Sequence, residues 1–386
     1  MKKKIAVLGA TGSIGGSTID VIRGSRDYCE PVLFSARSNC KPLLPLAREF
    51  PAAAFAFEGI APDAVPDDFN KNRLFCGKDA VVRALEAIRP DVVVNGISGS
   101  AGLLPSLKTV ELGGGLALAN KESVVMAWEL LKTTAAMHGA EIVPVDSECS
   151  AVFHLVMRHG KENLTGIVLT ASGGPFRTWT LEQMRHIRIE DALNHPTWKM
   201  GPKITLDSAS LANKGLEVIQ ISKIIDVPAD MIQVSIHPQS VVHSMIQVSD
   251  GAVYAALSNP DMRLPIHQAL AYPAVRASDW GKMNFNMDSA APLSLAFERP
   301  DMEKFPMLRL AYQAAKTGGF YPLCYNAANE AAAERFICGD ISFLDIPKIV
   351  ETVLNKDWSA PPEDAKNIAA ILEADANARR YALEKR

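Results

Sequence analysis

Short apolar runs alternate with amphipathic stretches through the first third of the chain. The apolar runs cover residues 4–9, 31–35, 91–95, 115–119 and 141–145. Apolar positions at helical spacing lie between them, over residues 17–23, 80–88 and 122–137. Strand, helix and strand in this order predict βαβ units and a mostly parallel sheet. Because the strands are continuously apolar, we expect helices to cover both faces of the sheet.

The pattern changes after residue 146. Residues 166–171 and 231–241 read as strands, a turn-rich segment covers 172–203, and a helix is expected near 210–225. Proline, aspartate and serine clusters over 272–306 indicate a linker. Alanine-rich amphipathic stretches at 326–336 and 365–383 predict a small helical bundle.

These patterns predict an α/β protein with a Rossmann-like parallel sheet at the N-terminus, a central α+β catalytic domain and a C-terminal helical bundle. The predicted boundaries are 1–146 for a nucleotide-binding domain, 147–271 for a catalytic domain, 272–306 for the linker and 307–386 for the bundle. At about 150 residues per domain, a chain of 386 residues fits this division.

Composition narrows the possible partners. The chain has 40 basic and 43 acidic residues and a net charge of -3, so no global positive field attracts nucleic acid. No apolar stretch reaches the roughly 18 residues of a membrane span. The six cysteines form no CxxC pair and are expected to be reduced thiols. We therefore expect a cytoplasmic protein that binds neither nucleic acid nor membrane.

A glycine-rich turn follows the first predicted strand. Gly9-Ala-Thr-Gly12-Ser-Ile-Gly15 is typical of the turn that holds a dinucleotide pyrophosphate at a helix N-terminus. An ordinary glycine turn is the alternative. The region after the second strand contains Arg37 and no carboxylate that could bind a ribose 2′-hydroxyl, which favours NADPH over NADH. Arg37 could equally be a solvated loop residue.

Three carboxylates are candidates for a metal site. Asp146 and Glu148 follow the fifth strand and point to one side of an extended chain, although this segment would also serve as a helix cap. Asn213, Lys214 and Glu217 share one face of a helix surrounded by apolar residues. Oxygen ligands of this kind suit Mg²⁺ or Mn²⁺. A surface lysine–glutamate pair is the alternative explanation.

Three further segments carry polar groups in suitable places. Lys121 follows the fourth strand, where it either reaches an active crevice or simply begins a helix. The turn from Ser172 to Arg177 offers N–H and hydroxyl donors to a phosphate. Residues 194–201 mix His195, Trp198, Pro and Gly in a way typical of a mobile lid, although a lone histidine is more often structural.

Together these segments resemble the 1-deoxy-D-xylulose 5-phosphate (DXP) reductoisomerase family over nearly the whole chain. The matching motifs are GATGSIG at Gly9, NGISGSAGL at Asn95, ALANKE at Ala117, PVDSE at Pro144, TASGGPFR at Thr170, HPTWKMGPKITLDSASLANKGLE at His195, HPQSVVHSM at His237 and NAANE at Asn326. The resemblance implies an NADPH- and divalent-metal-dependent homodimeric enzyme. Its expected activity is the isomerisation and reduction of DXP to 2-C-methyl-D-erythritol 4-phosphate, in non-mevalonate (MEP-pathway) isoprenoid precursor synthesis.

The resemblance also implies roles for individual residues. The NADPH-binding residues are Thr11, Gly12, Ser13, Ile14, Arg37, Ser38, Asn39, Asn120, Glu122 and Gly201. The implied metal ligands, of Mg²⁺, Mn²⁺ or Co²⁺, are Asp146, Glu148 and Glu217. The substrate-binding residues are Lys121, Ser147, Glu148, Ser172, His195, Ser208, Asn213, Lys214 and Glu217. Lys121, Glu148 and His195 are the implied catalytic residues, and Trp198 and Met200 belong to the lid.

One residue departs from the family pattern. Cys149 stands where many members have histidine, beside the implied metal ligands, which puts local hydrogen bonding there in doubt. Other functions compatible with the dinucleotide motif are an NADP-dependent semialdehyde or sugar dehydrogenase and a redox-sensing NADP-binding protein. A retro-aldol/aldol route and a concerted ketol shift are equally compatible with the sequence.

Overall fold

The computed structural model describes residues 2–198, 200–283 and 294–384. The chain forms two compact units. The first unit contains Met1–Ser123, Glu129–Asp146 and Met262–Trp280, and the second contains Val124–Trp128, Ser147–Asp261 and Gly281–Arg386. None of the helices in these described ranges combines the length and apolarity needed to cross a bilayer.

Strands and helices alternate in the first part of the chain, and helices dominate the last. The strands are β1 Lys3–Leu8, β2 Cys29–Ala36, β3 Ala54–Phe57, β4 Leu74–Cys76, β5 Val92–Asn95, β6 Gly115–Leu118, β7 Ile142–Pro144, β8 Leu164–Ala171, β9 Ile232–Ile236, β10 Val242–Val248 and β11 Val253–Leu257. The helices are α1 Ser13–Gly24, α2 Leu44–Glu49, α3 Ala80–Ile88, α4 Leu103–Glu111, α5 Lys121–His138, α6 Ser147–His159, α7 Leu181–Met184, α8 Ile189–Ala192, α9 Pro202–Ala209, α10 Ala212–Ile225, α11 Arg263–Ala271, α12 Pro306–Thr317, α13 Tyr321–Ile337, α14 Asp345–Leu354 and α15 Ile368–Leu383.

The first unit is built on a parallel sheet, as the apolar runs predicted. Its strand order is β4-β3-β2-β1-β5-β6-β7. All five predicted strands are present, whereas β3 and β4 were not predicted. The three residues of β4, Leu-Phe-Cys, are apolar but only half-buried, and a run of three is too short to show a strand period. The chain reverses its direction of travel across the sheet between β1 and β5, and open parallel sheets bind ligands at such a point.

Helix α11 belongs to the first unit, although the sequence interpretation grouped it with the catalytic region. The Lys3 ammonium donates to the carbonyls of Leu270 and Tyr272 at 3.0 and 2.8 Å. These bonds join the end of α11 and the residue that follows it to the start of β1. Spatial contacts over more than 260 residues of sequence are invisible to local patterns.

The second unit contains a four-stranded mixed sheet with the order β11-β10-β8-β9. The predicted strand over 231–241 was wrong in its second half: β9 ends at Ile236, and a turn follows. The buried His237 ring stabilises this turn, because its Nε2 accepts from the N–H groups of Val241 and Val242. Strands β10 and β11 were not predicted.

The helical end of the chain agrees with the prediction. Helices α12 to α15 pack together, and α12 also packs on α10. Arg379 on α15 joins this bundle through ion pairs to Glu330 at 2.6 Å and Asp375 at 2.7 Å. The predicted linker over 272–306 lies partly outside the described residues, because 284–293 are not described.

Candidate active site

The glycine-rich turn after β1 uses its three glycines differently. Gly9 has a φ of +71°, and a Cβ there would lie 2.8 Å from the Gly96 carbonyl oxygen. A Cβ on Gly15 would lie 2.4 Å from the Gly9 oxygen, so both positions require glycine for packing. Gly12 has an ordinary φ of -84°, but a Cβ there would make a tight contact of 3.3 Å with the Gly9 carbonyl oxygen. Gly12 is exposed and is the N-cap of α1, so its backbone is accessible to a pyrophosphate at the start of that helix.

A second glycine-rich loop follows β5 at the same switch point. The side chain of Asn120, 2% exposed, donates to the carbonyls of Ile97 and Gly99 and accepts from the N–H of Ser123. Asn120 thus caps α5 and braces this loop. The Glu122 carboxylate accepts from Gly99 N–H and from the Asn120 amide. Direct contact of Asn120 and Glu122 with a cofactor stays a prediction.

The end of β2 carries a group of exposed polar residues. Arg37, Ser38 and Asn39 directly follow the strand and are all exposed. Arg37 makes no ion pair with a carboxylate in the described part of the chain. Glu58 is close enough for Arg37 to lower its pKa, but burial has the larger effect and raises that pKa. An exposed guanidinium at the carboxyl end of a strand is well suited to a phosphate.

The first unit also contains a nearly buried ion pair between Lys121 and Asp146. Lys121 Nζ lies 2.6 Å from Asp146 Oδ2, and their side chains are 5% and 11% exposed. Lys121 begins α5 after β6, and Asp146 follows β7, the neighbouring strand. The sheet therefore brings together two residues that the sequence analysis had assigned to different candidate groups.

In the second unit, a buried and a half-buried carboxylate share one buried ammonium. A carboxylate oxygen of Glu148 and one of Glu217 lie within 4.8 Å of each other. Lys214 Nζ donates to Glu148 at 2.7 Å and also to Glu217. Burial lowers the pKa of the Lys214 ammonium, but the two carboxylates outweigh burial and hold that pKa above its usual value. Asn213 also donates to Glu217, so the predicted shared helix face is confirmed.

This donor set passes the test for a divalent metal. All the acceptor atoms are carboxylate oxygens, which Mg²⁺ and Mn²⁺ prefer. Like charges this close, one of them fully buried, are stabilised by a cation between them, and Lys214 supplies one. Glu217 is 0% and Lys214 3% exposed, so the two do not form a surface lysine–glutamate pair.

Packing holds both carboxylates in place. The hydroxyl of Ser244 on β10 donates to the backbone carbonyl of Glu148 at 3.1 Å and anchors the first turn of α6. Gly215 on α10 lets that helix approach α12, since a Cβ there would lie 2.6 Å from the Cβ of Ala311. Cys149 is buried and forms no disulfide, and the Ser147 hydroxyl donates to the Glu148 carboxylate.

His195 lies between two serines. Its Nε2 is 3.1 Å from the hydroxyls of both Ser172 and Ser208. Its Nδ1 accepts from the N–H groups of Thr197 and Trp198, so Nδ1 carries no proton and Nε2–H points to the hydroxyls. Burial lowers the pKa of this imidazole, which keeps it neutral at physiological pH. The structure thus brings together three residues predicted to bind the substrate.

The predicted lid follows this histidine. Trp198 and Met200 are half-buried, and Gly201 is the N-cap of α9. Lys199 lies outside the described residues. A Cβ on Gly201 would meet nothing within 4 Å, so its backbone is open, and its predicted contact with NADPH stays a prediction.

The structure adds His243 to the candidate site residues. This histidine lies in the HPQSVVHSM motif but was not predicted to have a role. Its ring centroid is 6.4 Å from that of Trp198, and its Nε2 is 2.8 Å from the Ser258 hydroxyl. Burial lowers the pKa of His243, while the Glu148 carboxylate acts in the opposite direction. The sequence offered little signal for His243, because it lies in β10, a strand that the local patterns did not predict.

Comparison with known proteins identifies the family. The family model for 1-deoxy-D-xylulose 5-phosphate reductoisomerase matches residues 5–128. Models of its C-terminal domain match residues 142–225 and 257–381. The *Treponema denticola* reductoisomerase is 42% identical over 95% of this chain and 93% of its own length. The chain belongs to the DXP reductoisomerase family. The family member from *Heliobacterium modesticaldum* is also 42% identical, over 100% of this chain and 98% of its own length.

Solved structures of DXP reductoisomerases have the same fold. The *Zymomonas mobilis* enzyme in complex with NADPH superposes with a TM-score of 0.87 at 36% identity, covering 99% of this chain and 98% of that one. A DOX-P reductoisomerase in complex with NADPH, fosmidomycin and magnesium gives a TM-score of 0.87 at 35% identity, covering 98% and 97%. The predicted fold class is therefore confirmed.

Proposed function

We propose that this chain converts DXP to 2-C-methyl-D-erythritol 4-phosphate, with NADPH as reductant and a divalent metal. The observation that carries the proposal is the Glu148–Lys214–Glu217 group, with Lys214 and Glu217 buried, in a chain that matches the reductoisomerase family over its length. Neither a simple dehydrogenase nor a redox sensor needs two carboxylates arranged around one buried ammonium.

The proposed metal ligands are Asp146, Glu148 and Glu217, and the metal is Mg²⁺, Mn²⁺ or Co²⁺. Asp146 precedes Glu148 by two residues, and the fit of Glu148 and Glu217 to an oxygen-preferring cation supports the set. When bound, such a metal polarises the substrate carbonyl and stabilises the negative charge that develops on its oxygen. Lys121 and Lys214 add ammonium groups, whose positive charge stabilises the same developing charge.

The substrate phosphate is proposed to bind to Ser172, His195 and Ser208, with Asn213 and Lys214 holding the substrate hydroxyls. The neutral His195 donates from Nε2, and both serine hydroxyls can turn their O–H groups towards an anion. The phosphate lies far from the bonds that change, so its binding energy is available for orienting the substrate and closing the lid. Trp198 and Met200 then exclude water from the aldehyde intermediate.

For the cofactor, we propose that Thr11, Gly12, Ser13 and Ile14 bind the pyrophosphate, and that Asn120, Glu122 and Gly201 line the rest. When bound there, NADPH would supply the hydride for the reduction. The exposed backbone at Gly12 and the exposed Arg37, Ser38 and Asn39 support this assignment.

Replacing Arg37 with aspartate is expected to lower the preference for NADPH over NADH by at least tenfold. A hydrogen bond to a charged group is worth about 1.5–3 kcal/mol, and the new carboxylate also repels the 2′-phosphate. Steady-state kcat/KM values for both cofactors measure the ratio. Arg89→Asp is the control. Arg89 is also exposed, but it precedes β5 and so lies at the amino ends of the strands instead of their carboxyl ends. An unchanged ratio in Arg37→Asp would mean that the 2′-phosphate binds elsewhere.

The activity itself is tested by following NADPH oxidation with DXP, with and without EDTA. We expect turnover that EDTA abolishes and added Mg²⁺ or Mn²⁺ restores. Turnover that resists EDTA would favour a dehydrogenase without a metal, and NADPH binding without any turnover would favour a redox sensor.

We further propose that the protein is a cytoplasmic homodimer. None of the six cysteines forms a disulfide, which supports a reducing compartment. β11 is an edge strand with exposed apolar side chains at Val253, Tyr254 and Leu257. Such an edge favours pairing with a second copy, which would cover its unpaired backbone groups. Sedimentation equilibrium tests the dimer, and a mass equal to one chain at micromolar concentration would exclude it.

A further inference from the structure

A buried carboxylate in the second unit has no part in the proposed chemistry. Asp207 on α9 is 1% exposed. Its Oδ1 accepts a hydrogen bond from Asn329 Nδ2 at 2.8 Å, and its Oδ2 lies 2.7 Å from Lys203 Nζ. Burying an ion pair is costly and seldom adds stability, so we expect this pair to fix the local geometry.

Asp207 immediately precedes Ser208, whose hydroxyl lies 3.1 Å from His195 Nε2. Successive side chains of a helix point about 100° apart, so fixing the Asp207 side chain sets the direction of Ser208. The opposite side of this turn is fixed as well, because a Cβ on Gly174 would lie 2.8 Å from the Ser208 carbonyl. Helix α9 is therefore held between the 172–174 turn and α13.

Among the described residues, Asn329 on α13 is the one residue of the helical bundle that donates a hydrogen bond to Asp207. Asn329 is 1% exposed, and Asp207 is its hydrogen-bond partner 122 residues away. The Asn329 donor is an uncharged amide, so this hydrogen bond fixes the direction of the Asp207 carboxylate without adding a charge. A shift of α9 by a fraction of an ångström would change the distance between Ser208 and Ser172. His195 Nε2 is equally far, 3.1 Å, from the hydroxyls of these two serines.

We propose that Asn329 is a positioning residue for substrate phosphate binding, acting through Asp207 to orient Ser208. This inference rests on the proposed function, because it needs Ser208 to bind the phosphate. The C-terminal helices then contribute to substrate binding, because Asn329 on α13 orients α9, the helix that follows the lid.

The test is Asn329→Leu, which keeps the size of the side chain and removes the donor. The KM for DXP is expected to rise at least fivefold, while the KM for NADPH changes less than twofold. A purely structural role would lower the fraction of active enzyme, and hence the apparent kcat, without separating the two KM values. Asn329→Ser, a smaller and polar replacement, serves with the same readouts if the leucine variant does not fold.

Asn326→Leu is the matched control. Asn326 lies one turn earlier on α13, is also fully buried, and donates to Glu330 instead of to α9. We expect it to lower thermal stability without changing the KM for DXP. An unchanged KM in folded Asn329→Leu, or an equal rise in Asn326→Leu, overturns the positioning role. A wild-type enzyme without DXP turnover would instead contradict the proposed function.

Discussion

Replacing Glu217 with glutamine is expected to lower kcat/KM by about a thousandfold, with little secondary-structure change. The substitution removes one of the proposed metal charges, and Lewis-acid catalysis is worth several kcal/mol, at about 1.4 kcal/mol for each factor of ten. It also removes the anionic partner of Lys214 and Asn213. Initial rates with saturating Mg²⁺, together with calorimetric Mg²⁺ titration, measure the effect.

Glu330→Gln is the matched control for this substitution. Glu330 is also a mostly buried glutamate, with a 13% exposed side chain, paired to Arg379 in the helical bundle. We expect Glu330→Gln to affect stability and leave Mg²⁺ affinity unchanged. Near-normal turnover and Mg²⁺ binding in Glu217→Gln would contradict the metal assignment.

Replacing Lys214 with methionine is expected to lower the free energy of unfolding of the metal-free protein by about 3–5 kcal/mol. That is the usual cost of removing one partner from a buried ion pair, and here Glu148 and Glu217 would be left facing each other. A divalent cation can replace the lost charge, so Mg²⁺ should raise Tm more in the variant than in the wild type. Thermal unfolding with EDTA and with Mg²⁺ provides both numbers.

A surface lysine serves as the control. Lys161 pairs with Asp226 where both side chains are exposed, by 49% and 73%. Exposed pairs contribute 0–1 kcal/mol, so Lys161→Met should change neither stability nor the response to Mg²⁺ appreciably. A Lys214→Met protein that is as stable as the wild type, and equally insensitive to Mg²⁺, would show that the two carboxylates do not form a cation site.

Sequence patterns predicted the parallel sheet well because its strands are buried on both faces. Ile5, Val7 and Leu8 in β1 are all 0% exposed, so the run is continuously apolar and easily recognised. Burial alone did not decide which strands were recognised, since β3 is fully buried but was missed. β11 is also apolar in sequence, Val-Tyr-Ala-Ala-Leu, although every residue is exposed or half-buried, and an apolar run of five residues does not by itself distinguish a strand from a helix.

The surroundings of Asp207 could not be predicted from local patterns. Asp207 lies inside α9 and is buried there. A break at Leu211, whose φ is +61°, separates α9 from α10. The partner that allows Asp207 to be buried is Asn329, and a contact across 122 residues leaves no trace in local spacing.

The sequence by itself determined the parallel sheet, the dinucleotide turn, the residue types of the candidate metal site and the resemblance to DXP reductoisomerases. These features depend on neighbouring residues, whose spacing sets periodicity and turn geometry. Only the tertiary structure decided that Lys214 lies between Glu148 and Glu217, that His195 joins Ser172 to Ser208, and that α13 reaches Asp207. These contacts arise from the packing of elements far apart in the chain, where the burial of charges and the direction of hydrogen bonds depend on the complete fold.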